Sequence, residues 1–359
     1  MPYVRNAWYV GSWTHDVESQ KPMAVRILGE PIVLWRNAAG VLTALEDRCV
    51  HRLAPLSLGR CEGERLRCMY HGLLFDRSGA VVEIPGQDII PASAKVHAYP
   101  VIDKHSWIWI WMGDPALADE SLIPPAVGLE DPEYDLGFGQ LDYEAEARLI
   151  NDNLLDFSHL SYVHAESFGS SEAWARNKAR ITPLERGVRF ERWIESESGV
   201  PGRTYEQPID RYSRYDFLIP GVLLMTGGVF AEGTAKKMDF GAPDLSEAHS
   251  GVTFTSQAVT PTNDKTSRYF FSWGPRKDHG GEALRDTLMQ IAAKAFNEDR
   301  TIIEAQQRVL DATPAPRIMP TAADKGITLF NRLVDQLARA ETDGRTSLKA
   351  PLSLQSAKA

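Results

Sequence analysis

Two regimes of hydrophobic patterning divide the chain. Up to about residue 115 the apolar residues come in short runs, "AVRILGEPIVLWRNAAGVLTALED", "LLFDRSGAVVEIPG" and "SWIWIWMGDP". Turn formers separate them at Gly29-Glu30-Pro31, Ala39-Gly40, Ser78-Gly79 and Gly113-Asp114-Pro115. Such punctuation predicts short strands and hairpins. After a connector, "ALADESLIPP", the pattern changes. "YEAEARLINDNLLDFSHLSYVHAESFG" reads as helical, and strand-like "GVRFERWIES", "IDRYSRYDFLIPGVLLMTGGVF", "GVTFTSQAVTP" and "SRYFFSWGPR" follow. The end is helical again, from Glu282 to about Asp311 and from about Lys325 to Ala340. Strands between an early helix and a long late helix predict an antiparallel sheet gripping that helix. The expected organisation is α+β: an all-β domain over 1–115, a second domain over 116–345, and a loose tail over 346–359.

The late helix contains an anomaly. Leu288, Ala292, Ala295, Asp299, Ile302, Gln306 and Val309 recur at alternating steps of four and three, which is one helical stripe. The stripe is mostly apolar and expected to be buried. A carboxylate in its middle is costly unless paired or metal-bound.

Residues 49 to 72, "CVHRLAPLSLGRCEGERLRCMYHG", hold two ligand pairs of unequal spacing, Cys49-x-His51 and Cys68-x-x-His71, with sixteen residues between. Structural zinc modules usually group cysteines in one close pair and histidines in another. Here the types are mixed within each pair. A [2Fe-2S] cluster of the Rieske kind explains the mixing, since two thiolates bind one iron and two imidazoles the other. Gly72 suits a tight turn beside such a cluster.

Composition narrows the field. The 359 residues are 43% hydrophobic and 24% charged, and the formal charge of −9 argues against a nucleic-acid binder. Between Arg48 and Arg77, however, six arginines (48, 52, 60, 65, 67 and 77) stand against three acids, a local excess that reads as a docking face for an acidic electron donor. Three cysteines make no disulfide framework, and Cys61 is left single. No apolar run approaches a membrane span, and "MPYVRNAWYVGSW" lacks the pattern of a signal peptide. The expected setting is soluble, reducing and cytoplasmic.

A second metal site is suggested by Asp156, His159 and His164 in "NDNLLDFSHLSYVH". On a helix Asp156 and His159 share a face, whereas His164 reaches the same ion only if the helix ends or loosens. Mononuclear non-haem iron takes two histidines and one carboxylate and keeps positions open. The carboxylate is Asp156 itself or one from elsewhere, with Asp299 the conspicuous alternative. "GVLLMTGGVFAEG", between Gly221 and Gly233, offers no cation, and so points to a neutral or mainly apolar pocket.

Taken together, "NAWYV", "CVHRLAPLSLG", "CMYHGLLFD", "IPGQ", "WIWMGDP", "DNLLDFSHLSYVH" and "FNEDRTIIEAQQ" resemble the oxygenase components of Rieske non-haem iron oxygenases. Within them the chain is most similar to the vanillate O-demethylase, toluenesulfonate methyl-monooxygenase and dicamba monooxygenase group. The resemblance covers nearly the whole chain. It implies a β-rich Rieske domain followed by a helix-grip catalytic domain, with Cys49, His51, Cys68 and His71 on the [2Fe-2S] cluster. It also implies His159, His164 and Asp299 on mononuclear Fe(II), and O2 as co-substrate. Asp156 then bridges a cluster histidine of one subunit to an iron histidine of its neighbour in a homotrimer, and Asn153 stands near the iron. The implied reaction is hydroxylation or oxidative dealkylation of a small aromatic compound. Electrons come from a ferredoxin or flavin reductase, since no Gly-rich dinucleotide fingerprint follows an expected strand. Aromatic-ring cis-dihydroxylation, a Rieske electron carrier without oxygenase activity and a zinc-stabilised binding protein are the competing readings.

Overall fold

The structure, a computed structural model, describes residues 3–343, so the tail expected at 346–359 lies outside the described residues. The chain divides into two compact units.

The first unit comprises residues 5–128 together with 260–266. Three small antiparallel sheets build it. In one, Trp107–Trp111 lies between Trp8–Trp13 and Val101–Lys104, and every residue of "WIWIW" is buried. A strand covered on both faces needs no polar alternation, which explains that dense apolar run. A second sheet joins Met23–Ile27, Glu30–Arg36, Leu42–Glu46 and Ala98–Tyr99. The third, Arg60–Glu62, Arg65–Arg67, Leu74–Phe75 and Val81–Glu83, is flanked and interrupted by the two loops bearing the ligand pairs. Trp35, Leu45, Leu56, Leu66 and Phe75 pack beneath those loops in one core with Cys49 and Cys68. The hairpin tip 260–266 joins this unit because Thr260 Oγ1 donates to Val10 O at 2.7 Å and Leu28 N donates to Pro261 O at 2.8 Å. Nothing in the local sequence of that tip announces this.

The second unit holds a seven-stranded antiparallel sheet. Its order is Gly137–Tyr143, Thr266–Pro275, Ser250–Asn263, Val222–Ala231, Arg203–Leu218, Gly187–Val200 and Arg180–Leu184. The 32-residue helix Gly281–Ala312 lies against one face. There Phe296 meets Phe271 and Tyr269 at ring separations of 4.7 and 5.2 Å, and the Tyr143 hydroxyl donates to the Phe296 carbonyl at 3.1 Å. This is the helix-grip arrangement, and the fold is α+β as expected.

Three local expectations are corrected. Gly137–Tyr143 is an edge strand, so the first helix begins only at Ala147. That helix stops at Leu155, and Asp156 is extended (φ −132°, ψ 98°), so Asp156 and His159 do not share a helical face. In the long helix the buried row runs Leu288, Ala292, Ala295, Asp299, Ile303, Gln307, while Ile302 and Val309 are exposed. A strict four–three alternation averages 3.5 residues and drifts about 20° per heptad from a straight helix, so the row continues by fours beyond Asp299.

Candidate metal centres and substrate cavity

The two ligand loops of the first unit close on one plan despite their unequal spacing. Cys49 N donates to Ala54 O (2.8 Å) and Leu53 N to Cys49 O (2.9 Å); Cys68 N donates to Leu73 O (2.9 Å) and Gly72 N to Cys68 O (3.0 Å). The residue four beyond each cysteine is left-handed, Leu53 at φ 57° and Gly72 at φ 78°. Glycine is required at the second position for a further reason, because a Cβ there would lie 2.8 Å from Pro85 Cγ. The first loop is tied down by buried Asp47, which accepts from Ser57 N and Oγ, both at 2.6 Å. The second is braced by Arg67, which donates to the Gly72 carbonyl at 2.7 Å while pairing with Glu62 and Glu83 at 2.8 and 2.9 Å.

The outcome is two buried cysteines and two exposed histidines whose rings are 4.5 Å apart. Burial pushes the Cys49 thiol up, and the adjacent Cys68 adds to the shift. Two buried thiols beside two outward imidazoles suit a cluster whose two irons take their ligands separately. Three of the six arginines are ion-paired locally. Arg48 pairs with Glu46, Arg60 and Arg67 pair with Glu62, and Arg77 donates to Thr43 Oγ1. The exposed rim around His51 and His71 is instead apolar, with Leu53, Leu58, Met69 and Tyr70 each more than half exposed.

In the second unit the broken helix delivers what an intact one cannot. The Asp156 carboxylate accepts from Ser158 N at 2.8 Å and starts a short turn that carries His159, and a further turn carries His164. His159, His164 and Asp299 bring their ligand atoms within 4.8 Å of one another, and among the described residues they form the one such group. Asp156 is outside it.

Each outer ring nitrogen is already engaged. His159 Nδ1 donates to Asp156 O (2.5 Å), and His164 Nδ1 donates to Glu298 Oε2 (2.9 Å), which also accepts from Ser167 Oγ (2.6 Å). These bonds leave both Nε2 atoms turned toward Asp299 Oδ1, at 3.6 and 3.1 Å. His164 Nε2 is buried, with Asp299 Oδ1 as its near polar neighbour, a donor set that fits a metal ion. Asn153 Nδ2 donates to Asp299 Oδ1 at 3.1 Å and lies 3.5 Å from His159 Nε2. Burial lowers the His159 pKa. Burial also opposes charge on His164, but Asp299 and Glu298 together hold its pKa above the ordinary value. Two imidazoles and one carboxylate on one side of a site suit non-haem iron.

This trio lines a cavity of about 740 Å³, counted to its open mouth. Phe157, Phe168, Trp174, Met225, Trp273 and Phe296 give it mainly apolar walls. Its polar wall corrects the expectation of a pocket without a cation. Arg211, on Arg203–Leu218, lines the cavity, its guanidinium 4.9 Å from the centre of the Trp174 ring. Arg192, on the neighbouring strand, lies 5.1 Å from the same ring. Among the described residues neither side chain has an ion pair or hydrogen bond, and Arg192 Nε and Nη1 are buried without partners. Burial lowers the pKa of both. A desolvated cation–π contact is worth about 2 kcal/mol, whereas a buried charge costs several kcal/mol. Stacking alone does not offset it.

Comparison with known proteins agrees with the two units. The Rieske [2Fe-2S] domain profile matches residues 7–100, and the vanillate O-demethylase oxygenase C-terminal domain profile matches residues 143–340. The chain is 37% identical to the toluene-4-sulfonate monooxygenase system iron-sulfur subunit of Comamonas testosteroni, covering 95% of this chain and 99% of that one. It is 32% identical to a vanillate O-demethylase oxygenase subunit from Pseudomonas sp., covering 95% and 96%. The crystal structure of dicamba monooxygenase with non-heme iron and dicamba superposes with a TM-score of 0.77 at 27% identity, covering 96% of this chain and all of that one. The chain belongs to the vanillate O-demethylase oxygenase family, whose members join a Rieske [2Fe-2S] domain to this C-terminal oxygenase domain.

Proposed function

We propose that the chain is the terminal oxygenase of a multicomponent system that oxidatively dealkylates or hydroxylates a small aromatic compound. The observation that carries this reading is the convergence of His159, His164 and Asp299 on the wall of a mainly apolar cavity, in a chain that also has a Rieske domain. Cys49, His51, Cys68 and His71 would hold the cluster, and His159, His164 and Asp299 the iron. When bound, the cluster supplies single electrons and the iron supplies the centre at which dioxygen is activated.

The chain's own residues do the rest. The Asp156 carbonyl and Glu298 fix the tautomers of the two histidines, which keeps both Nε2 atoms available and the ligands basic. Asn153 holds Asp299 Oδ1 in place. The aromatic walls exclude water and seat a ring. The Asp156 carboxylate is assigned to electron transfer between a cluster histidine of one subunit and the iron histidine of its neighbour in a homotrimer. For a methoxy substrate the balance is one O2, two electrons and two protons in, and one phenol, one formaldehyde and one water out. The electrons come from a ferredoxin or flavin reductase. Cys49, Cys61 and Cys68 form no disulfide, and a reducing cytoplasm suits them.

A screen of methoxy-, N-alkyl- and methyl-aromatics with a surrogate reductase tests the reading. Formaldehyde is expected from the methoxy and N-methyl compounds, and hydroxymethyl products from the methyl compounds, in both cases only with O2 and reductant. Purified protein that carries the cluster but binds no mononuclear iron, or that consumes no O2 with any compound, would overturn it.

A further inference from the structure

We infer that a second cavity beside the metal trio is the outer half of the substrate pocket, so that the chain takes an elongated two-ring aromatic in preference to a single ring. This rests on the oxygenase reading for what happens in the inner half.

The two cavities share a wall. The outer one, of about 500 Å³, adjoins the cavity lined by His159, His164 and Asp299, and Pro201, Arg211, Met225, Thr253 and Trp273 line both. The register of the sheet explains the recess. Tyr215, Met225 and Thr255 pair across three adjacent strands, and Ser213, Gly227 and Thr253 form the next row on the same face. The first row carries two large side chains, and the second carries nothing larger than a threonine. A hollow therefore opens two residues, or about 7 Å, along the strands from Met225. Leu284 and Leu288 of the long helix line it from the opposite side. The hairpin tip is drawn in beside them, for Gly202 (φ 77°) lies so close that a Cβ there would be 3.0 Å from Leu284 Cδ1.

Size and chemistry of the walls select the ligand. The inner cavity alone, about 740 Å³ to its mouth, lies within the roughly 300–1,000 Å³ of pockets that enclose drug-sized ligands, more than one substituted ring fills. Val200, Pro201, Val229, Leu284 and Leu288 make the outer walls mainly apolar, which suits a second ring. Arg211 does not claim the space for an anion, because its guanidinium is stacked on Trp174 and attracted by Glu197. Met225 stands at the neck between the halves, where a flexible thioether adapts to what passes it. A ring seated in the hollow leaves a substituent on the other ring to face the trio.

The test uses the intact holoprotein with its cluster oxidised. Equilibrium dialysis measures binding of linear 4-hydroxy-4′-methoxybiphenyl, its branched isomer 4-methoxy-2-phenylphenol and single-ring 4-methoxyphenol. The linear compound is expected to bind at least about tenfold more tightly than either of the others, the isomer controlling for hydrophobicity. Leu284→Trp fills the hollow from the helix side. It should weaken the linear compound at least about tenfold and change 4-methoxyphenol less than about threefold, with iron content and cluster spectrum retained. Ser213→Val fills the hollow from the sheet side, should act in the same direction, and serves if Leu284→Trp fails to fold. Equal affinity for the linear compound and its isomer, no loss in either filled variant, or no binding by any probe would overturn the inference. So would filled variants that slow association of both methoxy compounds alike with unchanged dissociation constants, since the outer cavity would then be a passage. These are binding readouts, so they stand apart from failure of the oxygenase reading, which would show as missing iron or absent O2 consumption.

Discussion

The two candidate metal centres differ in what chiefly holds them in place. Around Cys49, His51, Cys68 and His71 the backbone fixes the geometry, with two turns closed by matching hydrogen bonds and a left-handed residue in each. Around His159, His164 and Asp299 side chains do it, through Asn153, Glu298 and Ser167. The first centre turns its histidines outward, whereas His164 and Asp299 in the second are 0% and 5% exposed. An outward centre suits electron exchange with a partner. A buried one suits chemistry that water must not enter. The contrast also says where each is vulnerable: the outer centre at backbone conformation, the inner one at single polar atoms.

The most damaging test is Asp299→Ala. It should empty the mononuclear site while leaving the Rieske absorption and acid-labile sulfide intact, and turnover should fall at least roughly a thousandfold. Unchanged iron stoichiometry with full turnover would show that the two centres do not differ as argued.

Asp156→Asn separates charge from scaffolding. An asparagine caps a helical turn as well as aspartate does, so the turn that begins at Ser158 should persist and both metals should remain bound. Turnover should nonetheless drop about a hundredfold, with a reduced cluster that fails to pass its electron on. If iron is lost instead, the capping role accounts for Asp156 and electron transfer does not.

How much of this was legible in the sequence depends on how local each signal is. The Cys/His pairs, His159 and His164 lie within short loops, and Asp299 stood out as an acid on an apolar stripe. An antiparallel sheet and the long helix were readable from runs of β-branched and aromatic residues and from helical period, whereas the edge strands Gly137–Tyr143 and Arg180–Leu184 were not. The break at Asp156 was only half readable: the histidine spacing demanded an interruption but did not say where. Arg211 lies on the strand before "GVLLMTGGVFAEG", so that segment does not reveal it. A period-two signal was available, since Ile209, Arg211, Ser213, Tyr215 and Phe217 share one face, as do Phe190, Arg192 and Ile194 on the neighbouring strand. Arginines at inward positions of two paired strands are as anomalous as an acid on an apolar helix stripe. Glu298 was hidden by its neighbour, for nothing in "NEDR" says which acid meets the metal and which meets His164.

That pair yields the next test. Glu298→Gln keeps the shape but removes the charge that accepts from His164 Nδ1 and Ser167 Oγ. Iron affinity should fall by about tenfold and be recoverable with added Fe(II), unlike the loss at Asp299. Chelator competition reads it. An unchanged iron dissociation constant would mean that His164 is oriented by packing alone.

The smallest effects probe the outer centre and run in opposite directions at equivalent positions. Gly72→Ala places a Cβ on a left-handed residue and 2.8 Å from Pro85 Cγ, and should destabilise the first unit by about 2 kcal/mol. At Leu53 the left-handed strain is already present and the side chain is 69% exposed, so it contributes little packing to offset it. Removing that strain is worth about 1–2 kcal/mol, from which the greater freedom of glycine in the unfolded chain subtracts about 0.5–1 kcal/mol. Leu53→Gly should therefore raise stability by about 0.5 kcal/mol, with the cluster spectrum unchanged. Denaturant unfolding followed through the cluster absorption resolves both signs. A destabilised Leu53→Gly would mean that the leucine side chain makes packing contacts that outweigh the strain at its left-handed position.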